Sequence, residues 1–306
     1  MAQKIAFIVQ RIIKEIRILL LRNRILLCYP SLPARKGRIN LNYYHAGLLP
    51  GIRRAKDSGE RNLGDDLAPH ILDYALQRNG LTSESPTSKD AHLFSVGSIL
   101  LLGYQDAVVW GSGIMTVPSF ARTFFHRALF RKLDIRAVRG PLTRQILLKL
   151  GHRCPEVYGD PGCLMPLIYQ PDVEKTLEYL VIPHYLVERH IKNHIPADNL
   201  VSMMTDDYKT VIDKICSAKK VIASSLHGII LAEAYGVPAI FLQHRPKHFD
   251  FKYADYYQST GRDFGPTAAS LAEAIAMDPG TAPDLSEIQQ ALLRAFPYDL
   301  WKNGAK

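Results

Sequence analysis

Cysteine is scarce. Four occur in 306 residues, at Cys28, Cys154, Cys163 and Cys216, with no C-x-x-C pair and no histidine at zinc-ligand spacing. A disulfide scaffold and a structural metal site are both poor fits, and the chain reads as one for a reducing compartment. Also missing is any unbroken apolar run near the roughly 20 residues that cross a bilayer, and the N-terminus shows no small-residue cleavage site after a short apolar core. A secreted or membrane-spanning chain is therefore not expected. Repeats and low-complexity tracts are absent, and 22% charged beside 47% apolar residues exclude disorder, collagen and coiled coil. Acid is the minority charge: 29 Asp and Glu against 38 Lys and Arg leave a formal +9, which favours an anionic partner. A chain of this length outgrows one comfortable core, so two α/β halves are the starting expectation.

The positive surplus is local. Residues 1–28 carry Lys4, Arg11, Lys14, Arg17, Arg22 and Arg24 against the single acid Glu15, a side-chain charge of +5. Ile5, Ile8, Val9, Ile12, Ile16, Leu19, Leu20, Leu26 and Leu27 recur largely at i, i+3, i+4, so a basic amphipathic helix is expected over 1–30. Two roles stay open for it. Such a helix can lie in the headgroup layer of an anionic membrane, each cation contributing about 1 kcal/mol. It can equally pack on the protein's own core or on a second subunit. Nucleic acid is not expected, because no basic stripe interleaved with aromatics runs through the remainder.

Beyond this segment, strand and helix signals alternate. Strands are expected over 38–44, 92–96, 107–110, 135–138 and 156–160, and helices over 67–76 and 141–150. Asn62-Leu63-Gly64-Asp65-Asp66 reads as a loop feeding the first helix. Gly97-Ser98 and Gly111-Ser112-Gly113 mark tight turns after strands. The pattern breaks near Pro171 and Asp172, then resumes with strands over 179–182, 220–224 and 239–242 and helices over 206–217 and 228–235. Two lobes are therefore expected, 38–170 and 171–284, each with a parallel sheet. A last helix within 285–306 is placed to cross back onto the first lobe.

Residues 221–240 are the most informative. They read VIASSLHGIILAEAYGVPAI: strand, small-residue turn, helix, Gly236 stop, and Pro238 before another strand. The first amides of that helix face the crevice at the strand's carboxyl end, where the helix dipole favours phosphate or carboxylate. Ser224, Ser225 and His227 add directed donors there. Glu233, inside the helix, reads as an internal hydrogen-bonding residue.

Ser224-Ser225-Leu226-His227-Gly228 followed by Ala232-Glu233-Ala234-Tyr235-Gly236-Val237-Pro238 resembles the signature of polysaccharide pyruvyl transferases. Three upstream pieces occur in the family's order: Asn62-Leu63-Gly64-Asp65-Asp66, Arg139-Gly140-Pro141-Leu142-Thr143 and Gly159-Asp160-Pro161. The resemblance covers roughly residues 40–245. It implies two Rossmann-like lobes facing a cleft, similar to the two-lobed (GT-B-like) glycosyltransferases, with an acceptor-side N-terminal lobe and a donor-side C-terminal lobe. Phosphoenolpyruvate is the implied donor. A pyruvate ketal is set across two hydroxyls of a capsular or exopolysaccharide sugar, or of its lipid-linked precursor, and phosphate is released without metal or organic cofactor. Many members carry arginine two places before the signature histidine, where this chain has Ser225, which removes one expected anion ligand.

That donor carries a phosphate of about −1.5 to −2 charge plus a carboxylate, so cations and amides are needed. Arg139, Ser224, Ser225, His227, Gly228, Arg245 and Lys247 are the donor-side candidates, and Asn62, Asp65, Asp66 and Asp160 the acceptor-side ones. Proton transfer falls to His227, His184 and Asp65, since histidine titrates near neutrality and a carboxylate can activate a hydroxyl. Each also has an ordinary structural role open to it: a salt bridge for Arg139, helix capping for Asp65 and Asp66, a turn brace for Asp160. A nucleotide-sugar glycosyltransferase and a non-catalytic glycan- or membrane-binding protein are the competing classes. A cytoplasmic protein held peripherally on the inner face of the membrane is the expected setting.

Overall fold

Two sets of short apolar strands build two four-stranded sheets, every pairing parallel. The computed structural model describes residues 39–42, 62–88, 91–100, 106–117, 132–243 and 250–301. The expected N-terminal helix, Arg245 and Lys247 lie outside those residues. In the first sheet, β1 (Ile39–Asn42), β2 (Ala91–Phe94), β3 (Ala107–Trp110) and β4 (Leu133–Ala137) stand in chain order. So do β5 (Leu180–Ile182), β6 (Val221–Ala223), β7 (Ala239–Leu242) and β8 (Thr267–Ala268) in the second. Every residue of β3, β5, β6 and β7 is buried, which is why their sequences are continuous apolar runs rather than alternations: helices cover both faces.

Those helices are α1 (Leu63–Asp66), α2 (Ala68–Gln77), α3 (Pro141–Lys149), α4 (Tyr185–Ile191), α5 (Tyr208–Cys216), α6 (Leu226–Ala234), α7 (Phe251–Ser259), α8 (Leu271–Ala276) and α9 (Ser286–Arg294). Their ends follow local chemistry. Pro141 opens α3 with its φ preset, and Asp207 caps α5 by accepting the Thr210 amide at 3.1 Å. In α6 seven of nine residues are buried. A helix apolar all round is one enclosed on every side, and α6 is packed against β6, β7 and the 3₁₀ helix Pro161–Leu167.

The layout is Rossmann-like α/β. Residues 156–160, expected as a strand, form only an isolated parallel bridge, Val138 to Tyr158. Gly159 at φ +142° and the following proline turn the chain into the 3₁₀ helix instead. Likewise 62–66, expected as loop, contains the single helical turn α1. The terminal helix α9 packs on the first sheet: Trp110 Nε1 donates to the Leu292 carbonyl at 2.8 Å, and Phe296 meets the Trp110 ring edge-on at 4.8 Å. One apolar cluster takes residues from both sheets. Among the described residues no helix is long and apolar enough to cross a membrane.

Candidate active site

The loops that leave the carboxyl ends of both sheets converge. From the first sheet come Asn62–Asp66 after β1, Gly97 after β2, Ser112 and Gly113 after β3, and Arg139 after β4. From the second come His184 after β5 and Ser224–His227 after β6. Open α/β sheets place ligands at this edge. The two sides are tied directly, since the Leu63 amide donates to the Met203 carbonyl at 2.8 Å.

At the centre lie His227, Asp65 and Asp160. His227, the second residue of α6, presents Nε2 to Asp160 Oδ2 at 3.8 Å, too far for a hydrogen bond. Both atoms are buried and neither has a partner. The other Asp160 oxygen is engaged, accepting the Gly162 amide at 3.0 Å as cap of the 3₁₀ helix. Two orphaned polar atoms facing one another are costly unless something is meant to satisfy them. An oxygen at about 2.8 Å from both, off their connecting line, meets ordinary hydrogen-bond geometry.

Asp65 completes the cluster. Its Oδ2 accepts from Asn62 Nδ2 at 2.8 Å, and its Oδ1 lies where a Cβ on Gly97 would stand, 2.2 Å away. Gly97 has φ +96°, so the turn after β2 needs glycine both for its backbone and for the carboxylate's room. Burial, with Asp160 and Asp66 adding like charge, holds the Asp65 carboxyl well above the usual carboxylate range, against the pull of Lys252. Burial pushes His227 the other way, below the ordinary histidine value. Asp160 opposes that shift, while Lys252 and Arg139 add to it. The two shifts run in opposite senses, each toward the uncharged form of its group, an acid and a base set apart by their surroundings.

Gly64 brings the halves together. A Cβ there would lie 1.9 Å from His227 Nδ1, so the imidazole of one half rests on bare backbone of the other. This explains why glycine stands beside Asp65 in a helical turn that it would otherwise weaken.

The remaining sequence candidates fall in several places. Arg139 is fully buried and fully engaged: Nε donates to Asp255 at 3.1 Å, one terminal nitrogen to Ser98 Oγ at 2.6 Å, and the other to the Ile114 carbonyl. Thr143 donates to the same Asp255 through its amide at 2.8 Å and its hydroxyl at 2.6 Å. Arg139 therefore stands as an ion pair between the halves, with its charge still felt at His227. Ser224 ties two loops, its hydroxyl accepting the His184 amide at 2.8 Å and its carbonyl the Tyr253 hydroxyl at 2.8 Å. Ser225 is the extended N-cap of α6, without a side-chain cap bond, and Gly228 is buried behind it. His184 caps α4 through Nδ1 and stacks on Tyr185 at 4.6 Å. Asp66, half-buried, closes the first turn. Glu233 accepts both Arg262 nitrogens, at 2.9 and 2.6 Å, and the Tyr256 hydroxyl at 2.7 Å, the internal role expected of it.

Sequence reasoning missed Lys252 and Asp255, both on α7. FKYADYYQS carries no turn or glycine signal, and only the fold shows that its lysine acts on the cluster and its aspartate on Arg139.

Parallel sheets, a crevice at their carboxyl edge and an unsatisfied His–Asp pair beside a buried carboxyl define an α/β protein with acid–base chemistry available to it. A family model for polysaccharide pyruvyl transferase matches residues 8–246, and the chain belongs to the polysaccharide pyruvyl transferase family. The succinoglycan biosynthesis protein ExoV of Rhizobium meliloti (strain 1021) is 30% identical over 227 residues, covering 69% of this chain and 65% of that one. An uncharacterized protein of Acanthamoeba polyphaga mimivirus is 26% identical over 181 residues, 56% of this chain and 60% of its own length. The chain thus matches just under two thirds of the length of these curated relatives. A crystal structure of a functionally uncharacterized Klebsiella pneumoniae protein superimposes with a TM-score of 0.47 at 14% identity, over 78% of this chain and 92% of the other.

Proposed function

We propose that the protein transfers the enolpyruvyl group of phosphoenolpyruvate to two hydroxyls of a sugar in a bacterial-type capsular polysaccharide or exopolysaccharide, or its lipid-linked precursor. The products are a pyruvate ketal and inorganic phosphate. The observation that carries this reading is the buried His227–Asp160 pair, open on both facing atoms beside the buried Asp65 carboxyl, in a chain of this family. The part of ExoV in succinoglycan biosynthesis supports an exopolysaccharide acceptor.

In this reading Asp65 gives its proton to the methylene carbon of the enol, leaving an oxocarbenium-like centre at the neighbouring carbon. His227 takes the proton of the attacking hydroxyl through Nε2, and Asp160 stabilises the imidazolium that results, the logic of a base held by a third group. The C–O bond to phosphate then breaks, the imidazolium returning its proton to the departing phosphate, and the second hydroxyl closes the ring on the same carbon as its proton passes to the Asp65 carboxylate, which restores the acid. Lys252, with the first amides of α6, receives the departing anion. No metal or organic cofactor enters the reaction. The two facing sheets act as the lobes of a GT-B-like cleft, the donor on the α6 side and the acceptor on the α1 side. Residues 1–28 hold the enzyme peripherally on the inner leaflet, near a lipid-linked acceptor.

Calorimetric titration with phosphoenolpyruvate, beside uridine diphosphate sugars and inorganic phosphate, tests the donor without knowledge of the acceptor. Saturable phosphoenolpyruvate binding is expected, weakened in Lys252→Ala. Phosphate release with acceptor is expected to fall about 10²–10⁴-fold in His227→Ala. Binding of a nucleotide sugar alone would overturn the proposal in favour of a glycosyltransferase.

A further inference from the structure

A groove of about 440 Å³ lies away from the His227 cluster, walled on one side by Glu156 and Tyr158 and on the other by Glu287, Gln290, Ala291 and Arg294 of α9. Positions 287, 290, 291 and 294 are three or four apart, so their side chains share one helix face, and Ala291 leaves the middle of that face low. Leu292, buried in the core, points the other way. The helix is held firmly in place. Gln289 Nε2 donates to the Cys163 carbonyl at 2.8 Å, in addition to the Trp110 bond already described, so α9 is pinned both to the first sheet and to the 3₁₀ helix that Asp160 caps. On the facing wall Arg144 holds Glu156 at 3.0 Å while that carboxylate stays 71% exposed.

The lining chemistry narrows the ligand. Two carboxylates offer acceptors, an amide and a guanidinium offer donors, and Tyr158 adds an aromatic face with a hydroxyl. With Glu156 paired to Arg144, Glu287 and Arg294 leave the groove formally neutral, so it has no surplus cation for phosphoenolpyruvate, nucleotides or lipid phosphates. What fits is an uncharged molecule rich in hydroxyls that both donate and accept. Position narrows it further. Tyr158 precedes Asp160 by two residues, at most about 7 Å of chain, so groove and reaction centre share one backbone segment.

We propose that this groove is a second glycan subsite, holding uncharged sugar residues of a polymeric acceptor other than the residue that reacts. The proposal rests on the acceptor being a glycan, as in the reading above. Contacts with distant sugars would supply binding energy that helps to orient the reacting hydroxyls, and the enzyme would then favour chains over single sugars.

The test uses the full chain without phosphoenolpyruvate. Binding of cellotetraose and laminaritetraose is followed by saturation-transfer NMR and calorimetry, beside methyl β-D-glucopyranoside and tetralysine. At least one tetrasaccharide is expected to bind. Affinity should drop tenfold or more in Glu287→Ala/Gln290→Ala and in Ala291→Phe, and stay unchanged in His227→Ala. The first substitution lies on the exposed helix face, and melting curves confirm that both variants fold. Three outcomes would overturn the proposal: neither tetrasaccharide binds; binding is indifferent to the groove variants; or tetralysine binds and the groove variants abolish it, marking a cationic-peptide site. Phosphate release is read separately. Its absence with groove binding intact would sink the transfer reaction alone, and transfer with no groove binding would sink the subsite alone.

Discussion

Replacing Arg139 by alanine separates two roles that one guanidinium can have. If it braces the halves, its loss leaves Asp255 buried without its cation, and breaking a buried pair costs about 3–5 kcal/mol. The two Thr143 bonds remain on that carboxylate, which pulls the cost toward the lower end. Ser98 and the Ile114 carbonyl each lose a charged donor, which pushes it back up. The expected destabilisation is therefore about 4 kcal/mol, or roughly 6 °C in melting temperature at about 2.1 cal/mol/K of unfolding entropy per residue. Urea unfolding followed by circular dichroism and by fluorescence of Trp110 and Trp301 measures it. Arg139→Met combined with Asp255→Leu should recover only part of the loss, because the apolar pair leaves no orphaned charge but strands the buried Thr143 amide and hydroxyl. A variant that melts within 1 °C of the unmodified chain, yet no longer binds phosphoenolpyruvate, would refute the brace and return Arg139 to the donor site.

Other outcomes follow from the same geometry. Gly64→Ala puts a methyl into the His227 ring, so phosphate release should fall at least 10²-fold, with a stability cost of about 1–3 kcal/mol; steady-state assays beside melting curves check it, and near-native turnover would contradict the contact. Asp65→Asn should abolish turnover while stabilising the fold at neutral pH. The folded Asp65 carboxyl is raised above its unfolded value of about 3.9, so the unmodified chain loses stability as pH climbs from about 4 toward the folded value, and the amide does not. Urea midpoints at pH 5 and pH 8 should show the gap between the two proteins widening at the higher pH. Glu233→Ala orphans the buried Tyr256 hydroxyl and releases Arg262, with an expected cost of about 2–3 kcal/mol and unchanged phosphoenolpyruvate affinity by calorimetry; lost affinity without lost stability would place Glu233 in the donor site instead.

Much of the architecture was legible because the parallel sheets write themselves as short apolar runs. AVVW, VIA and AIFL sit where buried strands are expected, and the glycines after β2 and β3 mark their turns. The strand–turn–helix reading placed His227 at the start of a helix, and the fold has it there, beside Asp65's turn. What stayed hidden depends on contacts distant in sequence. Nothing in the local pattern says that Asp255 neutralises Arg139, 116 positions earlier, or that Lys252 acts on Asp65. Motif spacing brings an arginine near a site without telling whether its charge is free, and Asp160 looked like a turn brace because one of its oxygens is one. Only the fold shows its second oxygen facing His227.

The contact between Gly64 and His227 also sets how the protein should fail. Asp65 belongs to one sheet's edge and the imidazole to the other's, and they meet across a seam held by the Leu63–Met203 backbone bond, the Arg139–Asp255 pair and the apolar cluster common to both sheets. Small openings of a seam cost far less than dismantling either sheet. Mild heat or dilute denaturant should therefore abolish the proposed phosphate release while circular dichroism still looks native, and dilution should restore it at the speed of two surfaces re-docking rather than of a chain refolding.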